Sequence, residues 1–177
     1  MLTFTSTGGP SLRIAGAEKV MLAFPKDGAG AAKDGALLLL AVPEEEPSPG
    51  ILSWPGEYNH SGITIRGIGH NEGQQVSYVV DADDLRVALL SSPLQDWTDP
   101  QIESVGEIDV LVLPADDAKI AHKLIDEFDP RVLILTLTGK ESEAVLKSIG
   151  GTAQRLSEYK LKGQLPAEGR EVVVMEK

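Results

Sequence analysis

The chain has 177 residues, with 16 Lys+Arg against 27 Asp+Glu and a formal net charge of -11. It has no cysteine, which excludes disulfides, iron–sulfur clusters, thiolate zinc sites and a Cys nucleophile; the acidic balance disfavours a nucleic-acid partner. A composition 42% hydrophobic and 24% charged is that of a globular chain, read as a single domain over 1–177 with a core that needs no staple.

Leu2, Phe4, Leu12 and Ile14 alternate with polar or small residues around Gly8-Gly9-Pro10, which predicts a hairpin. Val20 to Phe24 is a third strand, stopped by Pro25. Ala36 to Val42 is a continuous apolar run between Gly35 and Pro43, the pattern of a strand buried on both faces. In 43–50, Pro43, Pro47 and Pro49 forbid a helix or a central strand, and Glu44, Glu45 and Glu46 read as a solvated loop. Strands follow at Ile51 to Trp54, Ile63 to Ile68, Gln75 to Val80 and Leu85 to Leu90, and Gly56 and Gly62 make the segment between the first two a turn or strand. Thr98 or Asp99 caps a short helix with Pro100 in its first turn and Gly106 past its end. Ile108 to Leu113 is a strand. Asp116 or Asp117 opens a helix with Ile120, Leu124 and Phe128 on one face, stopped at Asp129-Pro130. Val132 to Leu137 is a buried strand, Glu141 to Ile149 a helix ended by Gly150-Gly151, and Val172 to Met175 a terminal strand. Strands followed by a β-α-β-α-β run fit an α/β fold of αββα type: two packed sheets with outer helices. No stretch approaches the ~20 apolar residues that span a bilayer, and the first residues lack a basic, apolar targeting pattern. The expected location is cytoplasmic, with no membrane partner.

Several segments recur in a familiar order: Trp54-Pro-Gly-Glu-Tyr58, Gly62-Ile-Thr-Ile-Arg-Gly-Ile68, Val76-Ser-Tyr-Val-Val80, Leu85-Arg-Val-Ala-Leu89 and Ile108-Asp-Val-Leu-Val-Leu-Pro114. Over most of its length the chain resembles the small branch of the metallo-β-lactamase superfamily, whose members look like Zn-dependent hydrolases. The resemblance implies that an H-x-H-x-D-H segment follows the buried strand; here the chain reads Ala41-Val-Pro-Glu-Glu-Glu46. Where the family places a bridging Asp, Leu85 to Leu90 runs into Ser91-Ser92-Pro93; where it places a last His, Val132 to Leu137 runs into Thr138-Gly-Lys140. An early Asp-Pro is replaced by Phe24-Pro25. The expectation is therefore a pseudoenzyme: the fold without catalytic, cofactor-binding or metal residues. Leu40 to Val42 are expected to fill the former cleft, because hydrocarbon there costs less than an unliganded polar cluster. The short loop 43–50 implies reduced helix cover in the N-terminal half. An uncovered sheet face suits contact with a second copy, a homodimer.

The alternative is a metal-dependent hydrolase with a rebuilt Zn site near Glu57 and His60, completed by Asp116. Glu-x-x-His spacing converges on a helix, but Gly56 and Gly62 argue against one. His60 and His70 are some 30 Å apart if the chain between them is extended. The plainer expectation is that Glu57 caps a turn and both histidines are exposed. His122 falls on the wet face of its helix, ~200° from Ile120. Ser91-Ser92 lacks a G-x-S-x-G elbow and reads as a turn. Trp54 and Trp97 read as core or rim, and Asp96 and Asp99 as suppliers of loop and cap hydrogen bonds. None of the glycine pairs matches a phosphate loop.

Overall fold

A computed structural model describes residues 1–17, 19–31, 35–150 and 153–177. The chain begins with β1 (Leu2–Gly8), β2 (Ser11–Ala15), β3 (Val20–Ala23), β4 (Leu37–Leu39) and β5 (Ile51–Leu52). Next come β6 (Gly56–His60), β7 (Ile63–His70), β8 (Gln75–Ala82) and β9 (Leu85–Leu89). The second half contains α1 (Asp99–Val105), β10 (Val110–Pro114), α2 (Ala118–Phe128), β11 (Val132–Thr136) and α3 (Ser142–Ile149). Three short strands close it: β12 (Gln154–Leu156), β13 (Glu158–Leu161) and β14 (Glu171–Met175).

These strands form a six-stranded sheet, β13-β1-β2-β3-β4-β5, and an eight-stranded sheet, β12-β14-β11-β10-β9-β8-β7-β6. Strands β9, β10, β11 and β14 are mutually parallel, so the residues that follow them share one edge of the sandwich, called here the upper edge. Strands β3, β4 and β5 are parallel too and end beside it. Alternation along each strand sorts the core into two layers. Phe4, Ile14, Leu39, Ile65, Tyr78, Val80, Leu89, Val112 and Ile134 fill the space between the sheets. Val79, Ala88, Leu111 and Leu133 point the other way, against Leu124, Phe128 and Val145 of the helices and against Trp97. Strands such as β10 are covered on both faces, which is why their sequences read as unbroken apolar runs.

The helix ends follow local chemistry. Of the two candidates for each cap the structure selects Thr98 and Asp117. Thr98 Oγ1 accepts from Gln101 N at 3.3 Å while Gln101 Oε1 accepts from Thr98 N at 3.0 Å, a reciprocal capping box. Asp117 Oδ1 accepts from Ile120 N at 3.0 Å. Ala121, Leu124, Ile125 and Phe128 are the buried face of α2, leaving Ile120 half-buried.

Residues 56–60 take the strand alternative and pair with β7. One segment differs from expectation: 154–161 contribute β12 and β13, which no sequence pattern announces. Glu158-Tyr159-Lys160-Leu161 alternates exposed and buried and pairs with β1; four residues are too few for a periodic signal to stand out. Reduced helix cover in the N-terminal half is present: α1, α2 and α3 all pack on the eight-stranded sheet. On the outer face of the other sheet Thr3, Thr5, Ala15, Val20 and Leu22 are half-buried and Arg13 is exposed. Cover is complete there at Leu38 of β4.

Gly67 in β7 lets the Trp54-Pro55 turn lie against the sheet. A Cβ at this position would sit 2.8 Å from the Trp54 carbonyl oxygen and 3.2 Å from Pro55 Cα, both backbone atoms. Gly67→Ala is expected to cost about 1–3 kcal/mol by overpacking, read as a lowered denaturation midpoint. An unchanged midpoint would mean that the turn yields freely.

Candidate functional site

The positions that the resemblance assigns to zinc lie along the upper edge, and the structure shows what occupies them. Phe24, after β3, is buried, and its ring centroid lies 6.1 Å from that of Tyr78. Tyr78 belongs to the eight-stranded sheet, yet its hydroxyl donates to the Leu40 carbonyl at 2.6 Å, with the Leu52 carbonyl at 2.9 Å beside it. Both carbonyls belong to the ends of β4 and β5 in the opposite sheet. One residue further, Val76 N donates to Ala41 O at 2.8 Å. The sheets are thus stitched together where a metal cleft would open. Burial above all, with Tyr58 and Glu44 nearby, raises the Tyr78 pKa far beyond the ordinary phenol range, so the group stays a neutral donor.

The expectation that Leu40 to Val42 fill this space needs correction. Leu40 is buried and Ala41 packs against the inner core, but Val42 is 66% exposed. The chain turns outward into the proline loop, and the phenol of Tyr78 supplies the closure. Nothing in Val76-Ser-Tyr-Val-Val80 marks Tyr78 as a cross-sheet tie; its inward parity was the one available signal.

Beside this seam, Asp116 gathers three loops that follow parallel strands. Its Oδ2 accepts from Ser92 Oγ and from Leu94 N, each at 2.8 Å, and its Oδ1 accepts from Thr138 Oγ1. Ser142 Oγ accepts from Thr138 N at 2.9 Å and donates to the Ala115 carbonyl at 2.9 Å. Two hydroxyls and an amide take three of the roughly four lone-pair sites of the carboxylate, so Asp116 acts as a clamp between loops.

A second polar group lies deeper. His70 Nε2 is 3.1 Å from Ser77 Oγ, which accepts from Ser91 N at 3.1 Å and lies 3.2 Å from Ser91 Oγ. Gln75 Nε2 donates to Ser91 Oγ and to the Pro93 carbonyl, both at 2.8 Å. Trp97 covers the group, 5.2 Å from the His70 ring, and meets Phe128 edge-on. The expectation of an exposed His70 is overturned: β7 runs two residues beyond the sequence estimate and delivers His70, 5% exposed, beneath Trp97. Ser91 is equally buried and fully engaged, so neither residue meets solvent as a base or nucleophile. Burial lowers the His70 pKa below 6.5. The unfolded chain therefore takes up the proton first as pH falls. His70 thus contributes stability above pH 6.5 that is lost between 6.5 and its lower folded value. His70→Gln is expected to flatten that part of the stability–pH curve, measured by urea unfolding; an unaltered slope would show that another group titrates there.

The sequence candidates are scattered. Glu57 has a side chain 77% exposed and lies 3.6 Å from Arg66 on the neighbouring strand, as a strand residue rather than a turn cap. His60 is half-buried at the far end of β6, paired with Ile63. Asp116 follows β10, four strand spacings from β6, or ~19 Å across the sheet. The structure does not bring Glu57, His60 and Asp116 together. Among the described residues no group of three or more His, Asp or Glu is arranged to hold a metal ion. Glu44 Oε1 is buried without a partner, but one carboxylate is far from the three or four ligands that zinc takes. The residues present at this edge do not fit a zinc centre. His122 is exposed, 3.3 Å from Ser148 Oγ. Trp97 is core, whereas Trp54 is 46% exposed at the rim, its indole N–H donating to Glu44 O at 2.8 Å. Asp96 accepts from Trp97 N at 2.9 Å and pairs with Lys123 at 2.7 Å.

No family model and no curated sequence matches the chain. Solved structures do. A Thermotoga maritima protein described as a Zn-dependent hydrolase of the metallo-β-lactamase superfamily superposes with a TM-score of 0.82 at 22% identity, covering 99% of this chain and 98% of that one. The metallo-β-lactamase fold protein YhfI of Bacillus subtilis gives 0.60 at 10% identity, covering 99% and 96%. The metallo hydrolase Igni18 of Ignicoccus hospitalis gives 0.51 at 12% identity over 76% and 81%. The chain has the metallo-β-lactamase fold expected from its motifs, two packed sheets with α1, α2 and α3 on the outer face of the eight-stranded one.

Proposed function

We propose that this protein is a non-catalytic, zinc-independent form of the fold that acts by binding or self-association. The observation that carries the reading is the seam at the upper edge. The Tyr78 hydroxyl and the Leu40 and Leu52 carbonyls occupy the junction where the fold's hydrolases need an open, imidazole-lined cleft. Metal-activated water requires three protein ligands and a free coordination position, and Ala41, Phe24, Ser91 and Thr138 offer no such set. After incubation with Zn²⁺ and dialysis, the protein is expected to retain metal well below stoichiometry by elemental analysis. A full equivalent that survives dialysis would overturn the reading.

For self-association the proposed surface is the face of the six-stranded sheet that α1, α2 and α3 leave uncovered, and the occupant is a second copy. At a net charge of -11 two copies repel over most of their surface. This face instead carries Arg13 and Lys160 with Glu158. Glu158 and Arg13 both pair with Thr5, one on each side of it. A two-fold axis running along β1 over the outer side of Thr5 sets each Arg13 against the partner copy's acid. Sedimentation at tens of micromolar is expected to show a dimer with Kd below about 1 μM, converted to monomer by Arg13→Glu. A wild-type monomer under those conditions would remove the dimer and leave the metal prediction standing.

A further inference from the structure

We propose that a pocket on the upper edge, between the β1–β2 turn and the end of β3, binds a small organic anion with an apolar body. Three independent features converge there. The first is space. Gly8, Gly9, Ser11, Phe24, Lys26 and Lys177 line a cavity of about 610 Å³, within the range of small-molecule sites.

The second is charge. In a chain of net charge -11, the charged side chains lining this pocket among the described residues are two lysines, Lys26 and Lys177, both exposed. Lys177 lies beside the hairpin turn: a Cβ on Gly8 would come to 3.9 Å from its Cδ. Ser11 lies inside and is buried; its hydroxyl accepts from Thr7 Oγ1 at 2.6 Å and so keeps its own proton to donate.

The third is strain. Phe24 has φ of 53°, a left-handed conformation that a bulky residue rarely adopts and that a following proline disfavours further. Residues held in such conformations gather at ligand sites. Here the conformation is held by the bond from Phe24 N to Leu39 O at 2.9 Å, and Phe24 is the large apolar residue in the pocket lining. An ammonium head would meet the two lysines and be repelled. A carboxylate is attracted by both and can accept from Ser11, while its hydrocarbon lies on Phe24.

This rests on the reading that the domain acts by binding. The test is an amide ¹H–¹⁵N titration of the full chain with sodium octanoate, and with octylammonium chloride and octanol as controls. Octanoate is expected to give saturable shifts at Gly8, Gly9, Ser11, Lys26 and Lys177, octanol weaker ones and octylammonium none. Doubling as a charge test, Lys26→Glu with Lys177→Glu changes only exposed positions and is expected to weaken octanoate about tenfold. No response at millimolar octanoate, an equal response to octylammonium, shifts centred elsewhere or undiminished affinity in the double variant would each overturn the site. Zinc content measured on the same sample separates that failure from failure of the zinc-independent reading.

Discussion

Replacing Asp116 by Ala is expected to destabilise the protein by about 3–5 kcal/mol. The carboxylate accepts from Ser92 Oγ, Leu94 N and Thr138 Oγ1, donors drawn from the loops after β9 and β11, while it stands itself in the loop after β10. Bonds to a charged acceptor contribute about 1.5–3 kcal/mol each. Asp116 is only half-buried, so water recovers part of the loss. The Leu94 N–H suffers most, because a backbone amide cannot turn away to find another partner. Asn is expected to fall between, since its amide oxygen can serve one side of the clamp while its NH₂ faces a donor on the other. Urea unfolding measures both variants, and a loss under about 1 kcal/mol for Ala would show that the three loops hold without the carboxylate.

Tyr78→Ala is expected to cost a similar 3–5 kcal/mol, as for other large buried aromatics. Its two parts are separable. Tyr78→Phe keeps the ring against Phe24 and removes only the hydroxyl, leaving the Leu40 carbonyl unpaired at the seam; about 1–3 kcal/mol is expected for that step. The phenylalanine variant is also expected to speed amide exchange at Val76, which bonds Ala41 across the same junction. If Phe costs nothing and exchange is unchanged, packing alone closes the edge and the hydroxyl is incidental.

The two residues show why part of this site was legible beforehand and part was not. From sequence Asp116 is a candidate third ligand of a rebuilt metal site and a candidate helix opener; the structure places it at the upper edge, in the loop after β10. Its role differs from a ligand's because Ser92 and Thr138, distant in sequence, use its lone pairs. Tyr78 and His70 were not legible. Alternation along β8 says that Tyr78 faces inward, but not that a carbonyl waits at the tip of its side chain. The sequence reads His70 as exposed, and only the packing of Trp97 over it, itself backed by Phe128, makes His70 core. Short strands β12 and β13 escaped for a related reason. They are ordered by their pairing with β14 and β1 rather than by a pattern of their own.

By itself the sequence determined the longer strands and the helices, two candidate residues for each of two caps, the two-layer architecture and the lack of imidazoles at the positions that the resemblance assigns to zinc. These are local properties: periodicity, turn chemistry and residue identity at a strand end do not depend on what packs opposite. The tertiary structure alone decided that the emptied edge is shut rather than open and that Glu57, His60 and Asp116 never meet. It also decided that a lysine-flanked pocket stands beside the seam. The reason is distance along the chain. Tyr78 and Leu40 are separated by 38 positions, and no pattern within either strand encodes that their tips touch.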